Sequence, residues 1–146
     1  MATTSESTAE VAARLRLAIA RTARRLRQEA GGELSPSLAA ALATVDRHGP
    51  LTPSELAERE RVQRPTATRI LSRLAEAGLV DRTSDPSDGR VSLVSATPRG
   101  QALLRRLRVR KNAYLARGLR DLDPEDVATL DRAAEVLERV LERDSA

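Results

Sequence analysis

The spacing of hydrophobic residues predicts helices along most of the chain and strands in one short region. Apolar residues recur every three or four positions over residues 9–30, 36–48, 53–61, 65–77, 98–120 and 124–144, which is the period of an amphipathic α-helix. Between Gly78 and Thr97, two short runs of alternating character (79–83 and 91–95) flank a polar loop and predict a β-hairpin. The sequence therefore predicts a mainly α-helical fold with a small β-hairpin.

Polar residues, prolines and glycines mark the predicted helix ends. Ser35 and Thr52 each precede a proline, and this order fits an N-cap followed by a proline in the first helical turn. Glu55 lies three residues after Thr52 and completes a capping box. Gly78 follows the fourth helix, where a left-handed residue commonly ends a helix. Residues 1–8 are polar, and we expect a disordered arm there.

The fourth predicted helix, residues 65–77, has two unlike faces. Pro65 fits its first position, where the missing N–H has no cost. From Arg61 to Ala75 there are four arginines and no carboxylate. Arginines and hydroxyls suit the groove of DNA, although such a face is often only a solvated surface. The inward stripe consists of Ala67, Ile70, Leu71 and Leu74, and the outward residues are Thr66, Thr68, Arg69, Ser72 and Arg73.

Composition excludes several classes of site. The chain has 146 residues and a net charge of +4, with 40% hydrophobic but only 1% aromatic residues. It has no cysteine, and His48 is its only histidine, which excludes disulfides and Cys-ligated metals and argues against a histidine-rich zinc site. The sequence has no phosphate-binding loop and no carboxylate and histidine in one predicted site. We therefore expect no metal, no cofactor and no enzymatic activity.

The termini and the two isolated ring side chains add little chemistry. No apolar run approaches a membrane span, and the polar N-terminus lacks the apolar segment of a signal peptide, so we expect a cytoplasmic protein with no membrane partner. Tyr114, the only aromatic residue, fits core or dimer packing better than a ligand platform. His48 fits a helix end better than a ligand sensor.

Two short helices, a tight connection and a hairpin predict a winged helix-turn-helix. In such a lobe the second helix enters the major groove and the hairpin, or wing, reaches an adjacent minor groove. Asp88 can orient the guanidinium of Arg90 through a bidentate pair, or it can only cap the loop turn. The predicted DNA-binding residues are Arg64, Pro65, Thr66, Thr68, Arg69, Arg73, Asp88 and Arg90.

The terminal segments carry opposite charges. Between Val11 and Gln28 there are six arginines and no acid, whereas residues 121–144 hold nine acids and three arginines. The basic face can be a solvated surface or a DNA contact, and the two segments can also pair with each other. The last helix carries a heptad-like apolar seam at Val127, Leu130, Ala134, Leu137 and Leu141, which needs a covering partner. We therefore expect a homodimer.

The chain resembles the MarR family of bacterial transcriptional regulators. The matching segments are Leu51–Ala57, Arg64–Leu74, Gly78–Val80, the wing Asp85–Arg90 and Thr97–Gly100. The resemblance implies a homodimer, held by the first and last helices, that binds a pseudo-palindromic operator, usually as a repressor. It also makes Arg90 the wing arginine and Asp88 its orienting carboxylate.

Many members of that family release DNA when a small aromatic ligand binds between the dimer and DNA-binding regions. The resemblance thus implies a small-molecule effector, which the sequence does not identify. With one aromatic residue, the chain lacks the aromatic crevice lining of members that bind phenolic ligands.

These expectations divide the chain into four regions. They are a disordered arm (1–8), an N-terminal dimerisation helix (9–34), a winged helix-turn-helix lobe (35–97) and C-terminal dimerisation helices (98–146). The sequence predicts a regulator that binds double-stranded DNA. The alternative is a helical dimeric interaction protein of the same fold that no longer binds DNA, and the arginines at 64, 69, 73 and 90 argue against it.

Overall fold

A computed structural model describes residues 2–144 and the side chains of residues 7–144. The described chain forms six helices and a two-stranded sheet, so the predicted fold class is confirmed. In chain order the elements are α1 (Ala2–Ala30), α2 (Pro36–His48), α3 (Pro53–Glu60), α4 (Arg64–Glu76), β1 (Val80–Ser84), β2 (Ser92–Ala96), α5 (Pro98–Arg120) and α6 (Pro124–Asp144).

The start of α1 differs from the prediction. The helix begins at Ala2 rather than near Ala9, so the predicted disordered arm is wrong for residues 2–8, while residue 1 lies outside the described chain. Extending an existing helix adds one hydrogen bond for each residue fixed, whereas starting a helix is costly. A polar composition alone therefore does not separate these residues from the helix that follows.

The helix ends follow the predicted capping chemistry. The Ser35 hydroxyl accepts a hydrogen bond from the Leu38 amide. The capping box is complete, since Thr52 Oγ1 accepts from the Glu55 amide at 3.1 Å and Glu55 Oε2 accepts from the Thr52 amide at 3.4 Å. At Gly78, φ is +74°, which satisfies the left-handed conformation expected there.

One apolar core holds α2, α3, α4, the hairpin and the start of α5 together. Its fully buried side chains are leucine and valine almost throughout, as the lack of aromatic residues requires. The largest are Leu42, Leu51, Leu56, Leu71, Leu74, Val45 and Val94. The inward stripe predicted for α4 is confirmed, with Ala67, Leu71 and Leu74 buried and Ile70 partly buried.

The hairpin is fixed to this core along one edge. Strands β1 and β2 are antiparallel, with Val80 opposite Ala96 and Arg82 opposite Val94. Leu51 adds a bridge to β2 through two hydrogen bonds with Val94, at 3.1 and 2.8 Å. The hairpin base is thereby tied to the segment before α3, so the wing is anchored on the helix-turn-helix.

The described chain divides after Lys111 into two compact units. The second contains the end of α5 and all of α6. No residue of α6 is buried, and its apolar residues Leu130 and Leu141 are exposed. No helix in residues 2–144 is long and apolar enough to cross a membrane.

Candidate nucleic-acid interface

A short, strained turn joins α3 to α4. Arg61 ends α3 with φ 54° and ψ 45°, a left-handed conformation that is unusual for a residue other than glycine. The amide of Val62 then donates to the carbonyl of Ala57 at 3.0 Å, which closes the end of the helix. The turn fixes the direction in which α4 leaves and so sets the helix-turn-helix angle.

Helix α4 presents a basic face to solvent. It begins at Arg64, so Pro65 occupies the second helical position. The sequence pattern predicts Pro65 at the first position, and that prediction is wrong by one residue. The backbone amides of its first turn have no side-chain cap and are free to meet an anion. Arg64, Pro65, Thr68, Arg69 and Arg73 are exposed, whereas Thr66 is half-buried.

None of the α4 arginines at 64, 69 and 73 forms an ion pair within residues 7–144. Their charges are therefore not neutralised by the described part of the chain. Glu76 is the only carboxylate in α4, and it lies at the C-terminal end. The middle of the outward face is positive, which is the electrostatic requirement for binding phosphate or guanine edges.

The wing loop holds Arg90 at its base. Asp88 Oδ1 accepts hydrogen bonds from both the Arg90 backbone amide, at 3.1 Å, and Arg90 Nε, at 3.2 Å. The predicted bidentate pair is therefore wrong in its geometry, because one carboxylate oxygen serves both donors. The sequence leaves two roles open for Asp88, and its carboxylate has both: it caps the loop turn and it orients the Arg90 side chain. The Arg90 side chain is 92% exposed, so its two terminal nitrogens project outward.

The rest of the loop is turn chemistry. Asp85 Oδ1 accepts from the backbone amide and the hydroxyl of Ser87, at 2.8 and 3.0 Å. The bond from the Ser87 amide is the main reason that the pKa of Asp85 is lowered. The backbone amide of Asp85 donates to the Val91 carbonyl at 2.9 Å. These bonds close the loop below Arg90.

Sequence reasoning missed one hydrogen bond between the wing and α4. Arg82 Nη2 of β1 donates to the hydroxyl of Ser72 at 3.0 Å. The helical pattern predicts that Ser72 faces outward, but it does not point to Arg82. The hairpin register puts Arg82 on the same face as the buried Val80, which is the face that packs on α4. That alternation is the sequence signal that could have found it.

The described residues thus bring the predicted site into two groups, the outward face of α4 and the tip of the hairpin. A helix-turn-helix followed by such a hairpin defines a winged helix-turn-helix protein. Among residues 7–144 no group of three potential metal-ligating side chains comes together.

Comparison with known proteins identifies the family. The MarR family model matches residues 34–92. The chain is 38% identical over 133 residues to the HTH-type transcriptional regulator MT0903.1 of Mycobacterium tuberculosis, covering 90% of this chain and 93% of that protein. The chain belongs to the MarR family of transcriptional regulators, and the resemblance seen in the sequence is confirmed.

Solved structures agree on the fold. A MarR family protein from Bacillus stearothermophilus superposes with a TM-score of 0.81 at 22% identity, covering 94% of this chain and 96% of that one. FabT of Streptococcus pneumoniae, solved in complex with DNA, superposes with a TM-score of 0.62 at 21% identity, covering 76% and 78%. At these identities the likeness establishes the winged-helix fold alone.

Proposed function

We propose that this regulator is a homodimeric repressor that binds a pseudo-palindromic operator in double-stranded DNA. The observation that supports this proposal is the exposed basic face of α4, together with the exposed Arg90 of the wing. The arginines of that face, at 64, 69 and 73, form no ion pair in the described chain. Helix α4 enters the major groove, and the wing reaches the neighbouring minor groove. Such a protein acts at the chromosome, which supports the predicted cytoplasmic location.

The proposed contacts divide by chemistry. Arg64 and Arg69, in the first half of α4, reach guanine edges or phosphates, whereas Arg73 lies further along and meets the backbone. Thr66 and Thr68 contact phosphate or a thymine methyl, and the uncapped N-terminus of α4 faces phosphate. Arg90, oriented by Asp88, enters a narrow minor groove, where the negative potential is strongest.

A second copy of the chain gives the protein the two-fold symmetry that matches a pseudo-palindromic operator. Val11, Leu15, Leu17 and Ile19 of α1 are exposed, and Leu141 of α6 is 66% exposed. Apolar side chains repeated along a helix mark a face that a partner covers, and each of these two helices carries such a face. The arginines of α1 and the acids of α6 are complementary, which supports pairing of these helices in a dimer.

The experiment that tests DNA binding is a mobility shift on the duplex upstream of the protein's own gene. We expect binding that weakens steeply with salt, since phosphate contacts release counterions. Arg69→Ala and Arg90→Ala should each weaken binding by about 1–3 kcal/mol. Arg132→Ala is the matched control, because Arg132 pairs with Glu135 at 2.7 Å and lies outside both groups. No shift at low salt would favour the alternative, an interaction protein that has lost DNA binding.

Sedimentation tests the dimer separately. We expect a dimer at micromolar concentration for the wild type and a monomer for Leu130→Arg, since Leu130 is half exposed on the α6 seam. Arg132→Ala changes an exposed neighbour outside the apolar seam and should leave the dimer intact. A wild-type monomer at that concentration would contradict the proposed symmetry.

We also propose that the effector is a small carboxylic acid, because one depression of the described chain suits such a ligand. A depression of about 360 Å³ has Leu34, Leu79 and Leu103 in its lining, together with Arg99, Arg106 and Glu33. Arg106 pairs with Glu33 at 3.4 Å, so its charge is already compensated. Within residues 7–144, Arg99 has no acidic partner. An apolar lining beside the Arg99 guanidinium suits a small carboxylate with a hydrophobic body.

Thermal unfolding with benzoate and with its neutral analogue benzamide tests this site. Benzoate should raise the midpoint of unfolding more than benzamide does, and Arg99→Gln should remove the difference. The same ligand should release the upstream duplex. Equal shifts with the two compounds would exclude an acid-selective site in this depression.

A further inference from the structure

The bond between Arg82 and Ser72 places a second wing arginine beside α4. Alternation along β1 puts Arg82 on the face of the hairpin that packs on the helix. There Arg82 Nη2 reaches the Ser72 hydroxyl at 3.0 Å. Ser72 follows Thr68 by four residues and Arg69 by three, so it lies on the outward row of α4. The guanidinium is therefore at the edge of the face that carries the proposed DNA contacts.

The charge of Arg82 is not used by the described part of the chain. Its guanidinium is exposed, and Arg82 forms no ion pair within residues 7–144. The hydroxyl of Ser72 takes up one of its five N–H donors and leaves the positive charge uncompensated. A neutral acceptor fixes the direction of the group without neutralising it, as a carboxylate would.

The position of this guanidinium relative to a duplex follows from the proposed docking. Adjacent major and minor grooves of B-DNA are separated by one sugar–phosphate strand. If α4 lies in the major groove and Arg90 in the next minor groove, that strand must cross between them. Arg82 starts on the wing and ends at α4, so it lies at the crossing.

We propose that Arg82 binds a phosphate of the strand that separates the two grooves, and that Ser72 is the residue that positions it. This inference rests on the proposed docking of α4 and the wing. The contact carries no base information, so it raises the affinity for every sequence and sets the distance between the wing and α4 on the duplex. Ser72 acts only through Arg82.

Three variants separate the charge from the hydrogen bond. Arg82→Gln removes the charge and keeps a shorter side chain with an amide donor, Arg82→Ala removes both the charge and the donor, and Ser72→Ala removes the acceptor and keeps the charge. Both positions are at the surface or half-buried, and thermal unfolding should confirm that the variants fold. Arg132→Gln is the matched control, since it removes one charge from an arginine that pairs with Glu135.

Affinity is measured by fluorescence anisotropy between about 50 and about 300 mM salt, on the upstream duplex and on a shuffled duplex of equal length. Arg82→Gln should bind both duplexes about tenfold more weakly and lower the salt slope by about one, because one phosphate is no longer neutralised. Ser72→Ala should bind a few-fold more weakly with an unchanged slope. Combining Ser72→Ala with Arg82→Ala should cost no more than Arg82→Ala alone.

The outcomes distinguish this inference from the docking on which it rests. If the wild type binds DNA and Arg82→Gln binds with the same affinity and the same salt slope, the phosphate contact is overturned but the docking is not. A reduced slope for Arg82→Gln together with an unaffected Ser72→Ala would overturn the positioning role of Ser72. A wild-type chain without affinity for either duplex at low salt would overturn the proposed function and this inference together.

Discussion

One oxygen of Asp88 accepts two hydrogen bonds from Arg90, one from its backbone amide and one from its Nε. The backbone bond holds the turn, and the side-chain bond directs the guanidinium away from the loop. The same carboxylate therefore couples the conformation of the wing loop to the aim of its arginine. The Asp88 side chain is 43% exposed, so solvent screens much of the charge attraction and the acceptor geometry matters more.

Two substitutions at Asp88 isolate this acceptor. Asn and Ala both remove the negative charge of Asp88, and this removal by itself favours DNA binding. Only the Asn oxygen can still accept both hydrogen bonds. We expect Asp88→Ala to bind the upstream duplex about 0.5–1 kcal/mol more weakly than Asp88→Asn, as one exposed hydrogen bond is worth. Titration of both variants in the same buffer measures the difference. Equal affinities would mean that Asp88 does not orient Arg90 on DNA.

The features that could be predicted from the sequence depend on neighbouring residues. The Thr52–Glu55 capping box, the inward stripe of α4 and the left-handed Gly78 each follow from short-range patterns. The two hydrogen bonds on a single oxygen of Asp88 could not be predicted, because they depend on the detailed closure of the loop.

Interactions between distant segments are the other part that the sequence leaves open. The hydrogen bond between Ser72 and Arg82 depends on how the hairpin packs on α4, and the bridge between Leu51 and Val94 depends on how it meets the segment before α3. The strand alternation indicates which face Arg82 occupies, but the partner on that face is decided only by the tertiary arrangement. A predicted outward residue such as Ser72 can therefore bind a neighbouring element.

Gly100 is required where α5 begins against the core. A Cβ at this buried position would lie 2.2 Å from the carbonyl oxygen of Leu79 and 3.3 Å from Leu42 Cδ1, and backbone cannot yield as a flexible side chain does. We expect Gly100→Ala to lower the free energy of unfolding by about 1–3 kcal/mol, the usual cost of overpacking. Chemical denaturation followed by circular dichroism measures the change.

Gly89 in the wing loop is the control for that substitution. No heavy atom lies within 4 Å of a Cβ built there, and its φ is outside the left-handed region. Gly89→Ala should leave the stability unchanged or raise it by up to about 1 kcal/mol, since alanine restricts the unfolded chain. A similar destabilisation of both variants would show that the close approach of Leu79 and Gly100 is not what limits the residue at 100.

The left-handed Arg61 stores strain in the turn between α3 and α4. For a residue with a Cβ this conformation costs about 1–2 kcal/mol, and glycine avoids the cost but has a more flexible unfolded chain. Arg61→Gly and Arg61→Ala both remove the guanidinium, so their difference reports the backbone. We expect the Gly variant to be more stable than the Ala variant by about 0.5–1 kcal/mol, and therefore to unfold at a higher denaturant concentration. Higher stability of the Ala variant would contradict the left-handed turn.

Asp85 gives the wing loop a dependence on pH. Its pKa is lowered, first by the bond from the Ser87 amide and then by the bond from the Ser87 hydroxyl. Because the folded-state pKa lies below that of the unfolded chain, the stabilisation is present above the unfolded value and is lost as the pH falls through the folded value. The contribution of the Asp85 carboxylate to the stability of the loop should therefore be present at neutral pH and be lost only in acid.

Carbon-detected NMR titration of the Asp85 carboxyl tests this order of causes. The wild-type carboxyl should titrate below the ordinary aspartate range. Ser87→Ala removes only the hydroxyl bond, so the pKa should rise part of the way, while the main contribution from the backbone amide remains. The Ser87 amide resonance should shift with the same midpoint, because it donates to the titrating oxygen. An Asp85 that titrates at the ordinary value in both proteins would show that the turn does not form in solution.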